Sequence, residues 1–434
     1  MNLLEQSESC EGLCQERIPR VTVVQIGSRR NYAVPIALAQ AGALERLFTD
    51  WYAGKDLLTR TADWISRRVP SRILARAAAR TVPEIPVEKV VHFPGFAVAY
   101  KWKKYWAARY RESPRAYIWG GQRFCKAVRD YGIPACDAIF CFSSVAKEIF
   151  ESPVASNTLR ILDQEIPPLA YEDRLVREQE AAYPEWTKPR PAQAGVEEYT
   201  ERQREEWVNS DIILCPSRFC WQALATEKAP LEKVRILPFG ITSRFFTGHL
   251  PRERNHHFTI LFAANSPVRK GLPDLVQAIE LLNSRNIRVI LAGDMSSLRA
   301  EAVSRTGRVA EMLGCVTRPK MVELYRQADL FVFPTVSDIF PAVVLEAMAA
   351  GVPVITTPNC GSGEVIREGV DGFIVPIRSP EQLAEKIEYL VTHRNICVDM
   401  GRNAYERAKE YTVDHYRERL LSLLREELHR RHQT

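Results

Sequence analysis

A strand, loop and helix pattern starts near residue 21 and starts again near residue 258, and this restart limits the folds open to the chain more than any other feature. VTVVQIGS (residues 21–28) is a short β-branched run ending in glycine, and FTILFAANS (residues 258–266) is an apolar run of the same length class. β-branched and aromatic residues suit a pleated, buried surface, so both read as buried strands. In the first series KVVHF, CDAIFCFS, LRILD, SDIILCPS and KVRILPFG read as further strands. Helical patterns lie between them at PIALAQAGALERLF, with Pro35 at its start, at WISRRVPSRILARAAAR and at ERQREEWVN. The second series runs through LPDLVQAIELLNS, RVILAGD, KMVELYRQA, DLFVFPT, FPAVVLEAMAA, PVITTP and PEQLAEKIEYLVTH with short loops. Strands alternating with helices imply a parallel, doubly wound sheet.

The expected class is therefore α/β, with two doubly wound Rossmann-like domains facing a cleft. The segmentation is a disordered tail at 1–20, a first domain at 21–240, a second at 241–412, and a polar amphipathic helix at 413–434 placed to pack back on the first domain. Residues Glu165 to Trp207, rich in acids and prolines, read as an insertion or a long loop with helices.

At 434 residues the chain exceeds what one hydrophobic core serves. Its 46% hydrophobic and 26% charged residues exclude a disordered or fibrous protein. No apolar run approaches a membrane span, and the acidic opening lacks the apolar core of a secretory leader. A cytoplasmic location follows as the expectation. The ten cysteines are scattered through apolar stretches without a CxxC pair, so they read as buried thiols and no metal site is expected. A net charge of +6 suits a polyanionic ligand or an anionic membrane face and is too small to indicate nucleic acid.

Two charge placements call for an explanation. Arg269 and Lys270 lie between a strand end and a helix start, where the helix dipole disfavours cations by some tenths to ~1 kcal/mol each. An anion at that position removes the conflict, because amides, dipole and cations then converge on it. Gly271 beside Lys270 permits close backbone approach. Arg29 and Arg30 repeat the arrangement after the first strand, and the plainer reading of all four is solvated loop charge. In the apolar helix PAVVLEAMAA, Glu346 is costly unless paired or hydrogen bonded. An ion pair with a nearby arginine and satisfaction by amides are the structural alternatives. Asp338, eight residues earlier, is alternatively a cap for the helix that Pro341 begins.

RKG, VILAGD, LYRQADLFVFPT, Asp338, seven residues, Glu346, AMAAGVPVITT and CGSGEVI…GVDGFIVP, in that order, resemble the retaining GT-B glycosyltransferases of the family-four type, the glycosyl transferases group 1. The resemblance covers the second domain, is most specific from Leu324 to Pro376, and extends weakly into the first domain. It implies a GT-B fold and transfer of a hexosyl unit from a nucleotide sugar to a glycan or lipid-linked acceptor with retention, in envelope or exopolysaccharide synthesis. It assigns Glu346 to the ribose hydroxyls, Asp338 to the donor sugar and Lys270 to the diphosphate. Asn265 stands where the family has a companion arginine, a role open to Arg269. Gly361, Gly363 and Glu364 match the loop over sugar and phosphates, and Gly27 matches the glycine that lets donor and acceptor approach.

The chain departs from the family in having Asp rather than Glu at 338, followed by IFP in place of glycines. A histidine expected after a central strand is replaced by Phe142, Ser143 or Ser144, and His92 reads as structural. No D-x-D pair exists, so fixed cations rather than a metal are expected to neutralise the leaving diphosphate, and no cofactor is implied. The competing readings are a non-catalytic nucleotide-sugar binder and, more weakly, a nicotinamide dehydrogenase whose glycine motif is incomplete. Finally, KWKKYWAARYR (residues 101–111) has five cations, four aromatics and no acid. It reads either as a basic helix with its aromatics in the core or as a surface for an anionic membrane.

Overall fold

The structure is a computed structural model that describes residues 18–54, 78, 80–110, 112–187, 193–247, 257–284 and 286–433. Residues 1–17 of the expected tail and most of the helix expected at 64–80 lie outside the described residues, whereas Arg20, also assigned to that tail, is held by Asp137 (2.7 Å) beside the first sheet.

The first domain is built on seven strands: β1 (Val21–Val24), β2 (Leu44–Thr49), β3 (Val90–His92), β4 (Ala138–Phe142), β5 (Leu159–Asp163), β6 (Ile212–Cys215) and β7 (Val234–Ile236). All pair in parallel in the order β3-β2-β1-β4-β5-β6-β7. The second domain contains β8 (Phe258–Ala263), β9 (Ile287–Ala292), β10 (Glu311–Gly314), β11 (Leu330–Phe333), β12 (Val354–Thr356) and β13 (Gly372–Ile374), parallel in the order β10-β9-β8-β11-β12-β13. Helices cover both faces of each sheet, so the central strands are apolar on alternate sides. Phe258, Ile260 and Phe262 enter one core of the second domain while Leu261 and Ala263 enter the other.

The helices that bear on the site are α1 (Ala33–Gln40), α2 (Pro94–Tyr110), α3 (Ser113–Tyr131), α4 (Leu169–Ala182), α5 (Val196–Asn209), α6 (Arg218–Thr226), α7 (Leu272–Leu282), α8 (Ala342–Ala349) and α9 (Val413–Gln433). The helix expected over PIALAQAGALERLF is shorter than its apolar pattern, and this corrects the sequence reading. It ends at Gln40 because Gly42 takes a left-handed φ of +71°. There Ala43 N–H bonds Leu38 C=O (2.8 Å) and Gly42 N–H bonds Ala39 C=O (3.0 Å), which closes the last turn and releases Leu44–Thr49 to become β2. Strand β10 is a second omission; it is a partly exposed edge strand without an apolar run to announce it.

The chain passes between the domains just after β7 and again at Thr412. Ile241 N–H bonds Tyr411 C=O (2.8 Å), and Val413 N–H bonds Ile241 C=O (3.1 Å). The two crossings touch at Gly240, where a Cβ would lie 2.4 Å from the Thr412 carbonyl oxygen. Beyond this crossing α9 returns to the first sheet and buries Tyr416, Leu420 and Leu424 in that domain's core. The segment from 165 to 207 supplies α4 and α5, and Tyr183 and Trp186 just past α4 pack into a core of the second domain.

Candidate functional site

The order of the second sheet reverses direction between β8 and β11, so the loops after these two strands diverge to opposite faces and leave a crevice. Asn265, Arg269 and Lys270 sit on the loop after β8, which leads into α7. Asp338 sits on the loop after β11, which leads into α8. The loops approach closely because position 271 is glycine. Its φ is +79°, and a Cβ would fall 2.0 Å from the Pro334 carbonyl oxygen.

Lys270 is buried, and its ammonium donates to the Ser337 carbonyl (3.1 Å) and to the Asp338 carboxylate. It also lies 5.5 Å from the centre of the Phe333 ring. Burial lowers the Lys270 pKa, and the Asp338 charge opposes that shift. Arg269 donates to the same Ser337 carbonyl (2.9 Å) and to Glu172 of α4 (2.7 Å), a residue carried by the first domain's helices. Asn265 Oδ1 accepts the Asp294 amide (3.2 Å). A cavity of about 470 Å³ is lined by Asn265, Arg269, Lys270, Gly293, Asp338 and Pro341 among others.

Asp338 does not cap α8. Pro341 is the cap residue and its side chain offers no acceptor to the first amides, while the Asp338 carboxylate pairs with Lys270. Glu346 is one helical turn beyond Val343, which lines the cavity, so the two share a face of α8. The arginine ion pair weighed for Glu346 does not form among the described residues. Its carboxylate accepts from Tyr325 Oη (3.0 Å), and burial raises its pKa against the pull of that bond.

A second cavity, of about 930 Å³, opens between the two sheets and shares Arg269 and Asp338 with the first. Gly27 lines it, with φ of +85° and its amide bonded to Asp50 Oδ1 (2.9 Å). Asp50 is itself paired with Arg80. Sequence reasoning missed Asp50, which stands directly after β2, because the helix reading ran across that strand. Ser144, one of the positions matched to the absent histidine, also lines this cavity and contacts Tyr199 Oη. His92 accepts the Tyr52 amide (3.3 Å) at the edge of the sheet.

Three placements differ from the sequence reading. Gly361 and Gly363 are buried in a 3-10 turn and line neither cavity. The Glu364 carboxylate turns to the first domain and accepts the Arg218 (2.9 Å) and Phe219 (2.7 Å) amides at the start of α6. Those amides lack helical partners and the helix dipole favours a carboxylate there, so this bond competes with any role over a sugar. Nearby, Ser217 Oγ donates to the Ile339 carbonyl (2.7 Å), a second contact between the domains. Arg30 lines the larger cavity but is not a solvated charge. It pairs with buried Asp163 and lies 4.0 Å from the centre of the Phe239 ring, tying the first sheet to the crossing segment. Arg29 pairs with Glu165 (2.5 Å) and lines the larger cavity.

Two parallel doubly wound domains facing a cleft, with a basic strand-end loop in the second, define the GT-B architecture. The chain is similar over 94% of its length, and 98% of the other chain, to the structure of sucrose-phosphate synthase from Thermosynechococcus elongatus, with a TM-score of 0.64 and 15% identity. It is likewise similar to Anabaena HepE in complex with UDP and glucose, with a TM-score of 0.59 and 13% identity over 94% of this chain and 99% of that one. Residues 251–407, within the second domain, match the family described as glycosyl transferases group 1. In sequence, the chain is 28% identical over 221 residues to the D-inositol 3-phosphate glycosyltransferase of Paenarthrobacter aurescens, a match covering 45% of this chain and 54% of that protein. The chain thus spans about half the length of the curated relatives it matches. Among the described residues no helix is long and apolar enough to cross a membrane, and no group of three or more His, Cys, Asp or Glu is placed to hold a metal ion.

Proposed function

We propose that this chain transfers a hexosyl unit from a nucleoside-diphosphate sugar to a glycan or lipid-linked acceptor, with retention of anomeric configuration, in cell-envelope or exopolysaccharide-type synthesis. The observation that carries this reading is the convergence of Lys270, Arg269 and Asp338 where the two strand-end loops meet beside the interdomain cleft. The donor diphosphate lies along the loop from Asn265 to Gly271, with Lys270, Arg269 and the first amides of α7 neutralising the charge that develops as it leaves. Glu346 takes the ribose hydroxyls and Asp338 contacts the sugar. The acceptor enters through the larger cavity past Gly27. Attack comes from the leaving group's own face: the new C–O bond forms as the bond to diphosphate breaks, and a phosphate oxygen takes the acceptor's proton. Fixed cations do this work without a metal or cofactor. Closure of the domains around the donor excludes water and limits its hydrolysis. The reading places the protein in the cytoplasm, at the inner membrane face.

The test is a thermal-shift panel of UDP, GDP, ADP and their sugars on the wild type, Lys270→Ala and Glu346→Gln, followed by turnover of the radiolabelled sugar of the stabilising nucleotide. UDP comes first because the HepE structure contains it. At about 100 times Kd a ligand stabilises by ~2.7 kcal/mol, so one nucleoside diphosphate should shift the wild type clearly and both variants less. Equal shifts in all three proteins sink the site assignment. Binding with no transfer to any acceptor or to water leaves a nucleotide-sugar binder instead.

A further inference from the structure

Helix α2, Pro94–Tyr110, turns the wrong face to solvent. Of its 17 residues only Tyr100 and Ala107 are buried. Trp102, Tyr105, Trp106 and Tyr110 fall at i, i+3, i+4 and i+8, the spacing of a continuous stripe along one side of a helix. A stripe of that kind ordinarily packs into a core. Here Trp102 is 66% exposed, Tyr105 63%, Trp106 37% and Tyr110 66%. The reading in which these aromatics are core residues is therefore overturned.

The rings hold one another in place instead. Trp106 stacks on Tyr110 with centroids 6.2 Å apart, and meets Trp102 and Tyr105 edge to face at 6.1 and 5.6 Å. Lys101, Lys103 and Arg109 flank the stripe, and the helix carries no acid. Beside it a hollow of about 300 Å³ is lined by Lys103, Trp106, Tyr110, Arg115 and Trp119 among others.

We infer that α2 docks the protein on an anionic lipid bilayer. Tyrosine and tryptophan rings suit the headgroup boundary because one end is apolar and the other polar, and the lysines and arginine match the negative surface beneath them. The chemistry is that of a helix lying in the interface plane. The opposite side of the same helix has a second role. Tyr100 and Lys104, one turn apart, line the larger cleft cavity. Docking through α2 therefore brings that cavity to the membrane surface, where an acceptor anchored by its lipid enters without leaving the bilayer. The docking inference stands on the helix and does not require transfer chemistry.

The experiment is co-sedimentation of the full chain with phosphatidylcholine vesicles and with vesicles that also contain phosphatidylglycerol. The wild type, Trp102→Ala/Tyr105→Ala/Tyr110→Ala and Lys101→Glu/Lys103→Glu are compared. The wild type should pellet with the anionic vesicles and less so as salt is raised. Each Lys→Glu change should weaken partition by at least about five-fold, and removing an inserted ring by about ten-fold or more. Both variants change exposed side chains, so their melting temperatures and UDP-induced shifts should equal those of the wild type, which keeps this result separate from the fate of the donor site. Wild type that stays in the supernatant with anionic vesicles overturns the inference, as do variants that pellet like the wild type. A wild-type dimer that the aromatic variant converts to monomers, with no vesicles present, also overturns it and identifies a second copy as the occupant of the stripe.

Discussion

Replacing Lys270 by methionine tests the donor site most directly, because methionine keeps most of the apolar stem over Phe333 and removes only the charge. The Lys270 side chain is 7% exposed and that of Asp338 23%, so a phosphate meeting this ammonium is weakly screened by salt. A hydrogen bond to a charged group contributes about 1.5–3 kcal/mol. Loss of the ammonium also leaves the Asp338 carboxylate unpaired at the wall of the same cavity, facing the incoming phosphates, which adds about 1 kcal/mol of repulsion for charges about 4 Å apart even with full hydration. Together these weaken a nucleoside diphosphate by about two to three orders of magnitude in Kd. The fold should lose little. The buried ammonium carried its own desolvation cost, the Ser337 carbonyl keeps its bond from Arg269, and Asp338 is exposed enough to be rehydrated. Titration calorimetry on Lys270→Met, with the nucleoside diphosphate that stabilises the wild type and with its parent nucleoside, reads the charge term alone. The diphosphate should weaken strongly and the nucleoside should not change. Equal losses for the two ligands, or no loss for the diphosphate, would refute the placement of the phosphates over Lys270.

Asp338→Asn should separate binding from chemistry: it frees Lys270, so the nucleoside diphosphate binds several-fold tighter, while single-turnover transfer falls by about a hundred-fold or more, the scale of losing one charge-stabilising group. Unchanged affinity would show that the Lys270–Asp338 pair does not compete with the ligand. Glu346 gives a pH test with two opposite signs. Burial raises its folded pKa above the ordinary glutamate value, so its contribution to fold stability is complete below the unfolded value and is lost as pH rises through the folded one. Donor affinity, which uses the carboxylate, instead falls as pH drops through that raised value. Glu346→Gln should flatten both profiles in calorimetry and thermal melts, and an unaltered pH dependence of affinity assigns the titration to another group. Glu364→Ala removes the carboxylate that bridges the domains at α6. It should cost about 0.5–2 kcal/mol, the range for a helix cap, and increase the radius of gyration in small-angle scattering; identical scattering curves would contradict a latch at this contact.

Much of the architecture was legible because the central strands of a parallel sheet are covered on both faces and write themselves as continuous apolar runs. Phe258–Ala263 and Leu330–Phe333 are such runs, and the switch point between them positions the basic loop. The failures are equally specific. Leu44–Thr49 was hidden because its apolar residues continue the helical pattern of α1, and only the left-handed turn at Gly42 divides them. Asp50 was lost with that strand. Glu364 was readable as part of a motif but not as a cap, since its partners, the amides of Arg218 and Phe219, lie about 145 residues earlier in the chain. A cap across domains leaves no local spacing to read. The stripe on α2 was legible as composition, and its outward orientation was not, because the same periodicity serves a core face and a membrane face.

Lys270 and Asp338 are opposed on neighbouring loops. The Asp338 carboxylate accepts from the ammonium of Lys270, and both groups are thereby satisfied without a ligand. Arg269 is held in the same way by Glu172 from the first domain. Each cation assigned to the diphosphate thus has an acidic partner in this conformation, one on the neighbouring loop and one across the cleft. A phosphate entering the cavity must exchange with those carboxylates rather than fill a bare positive site. On the proposed function, that exchange would release Asp338 toward the sugar and break a bond that spans the domains. Donor binding would then be coupled to the position of Asp338 and to the relative freedom of the two domains.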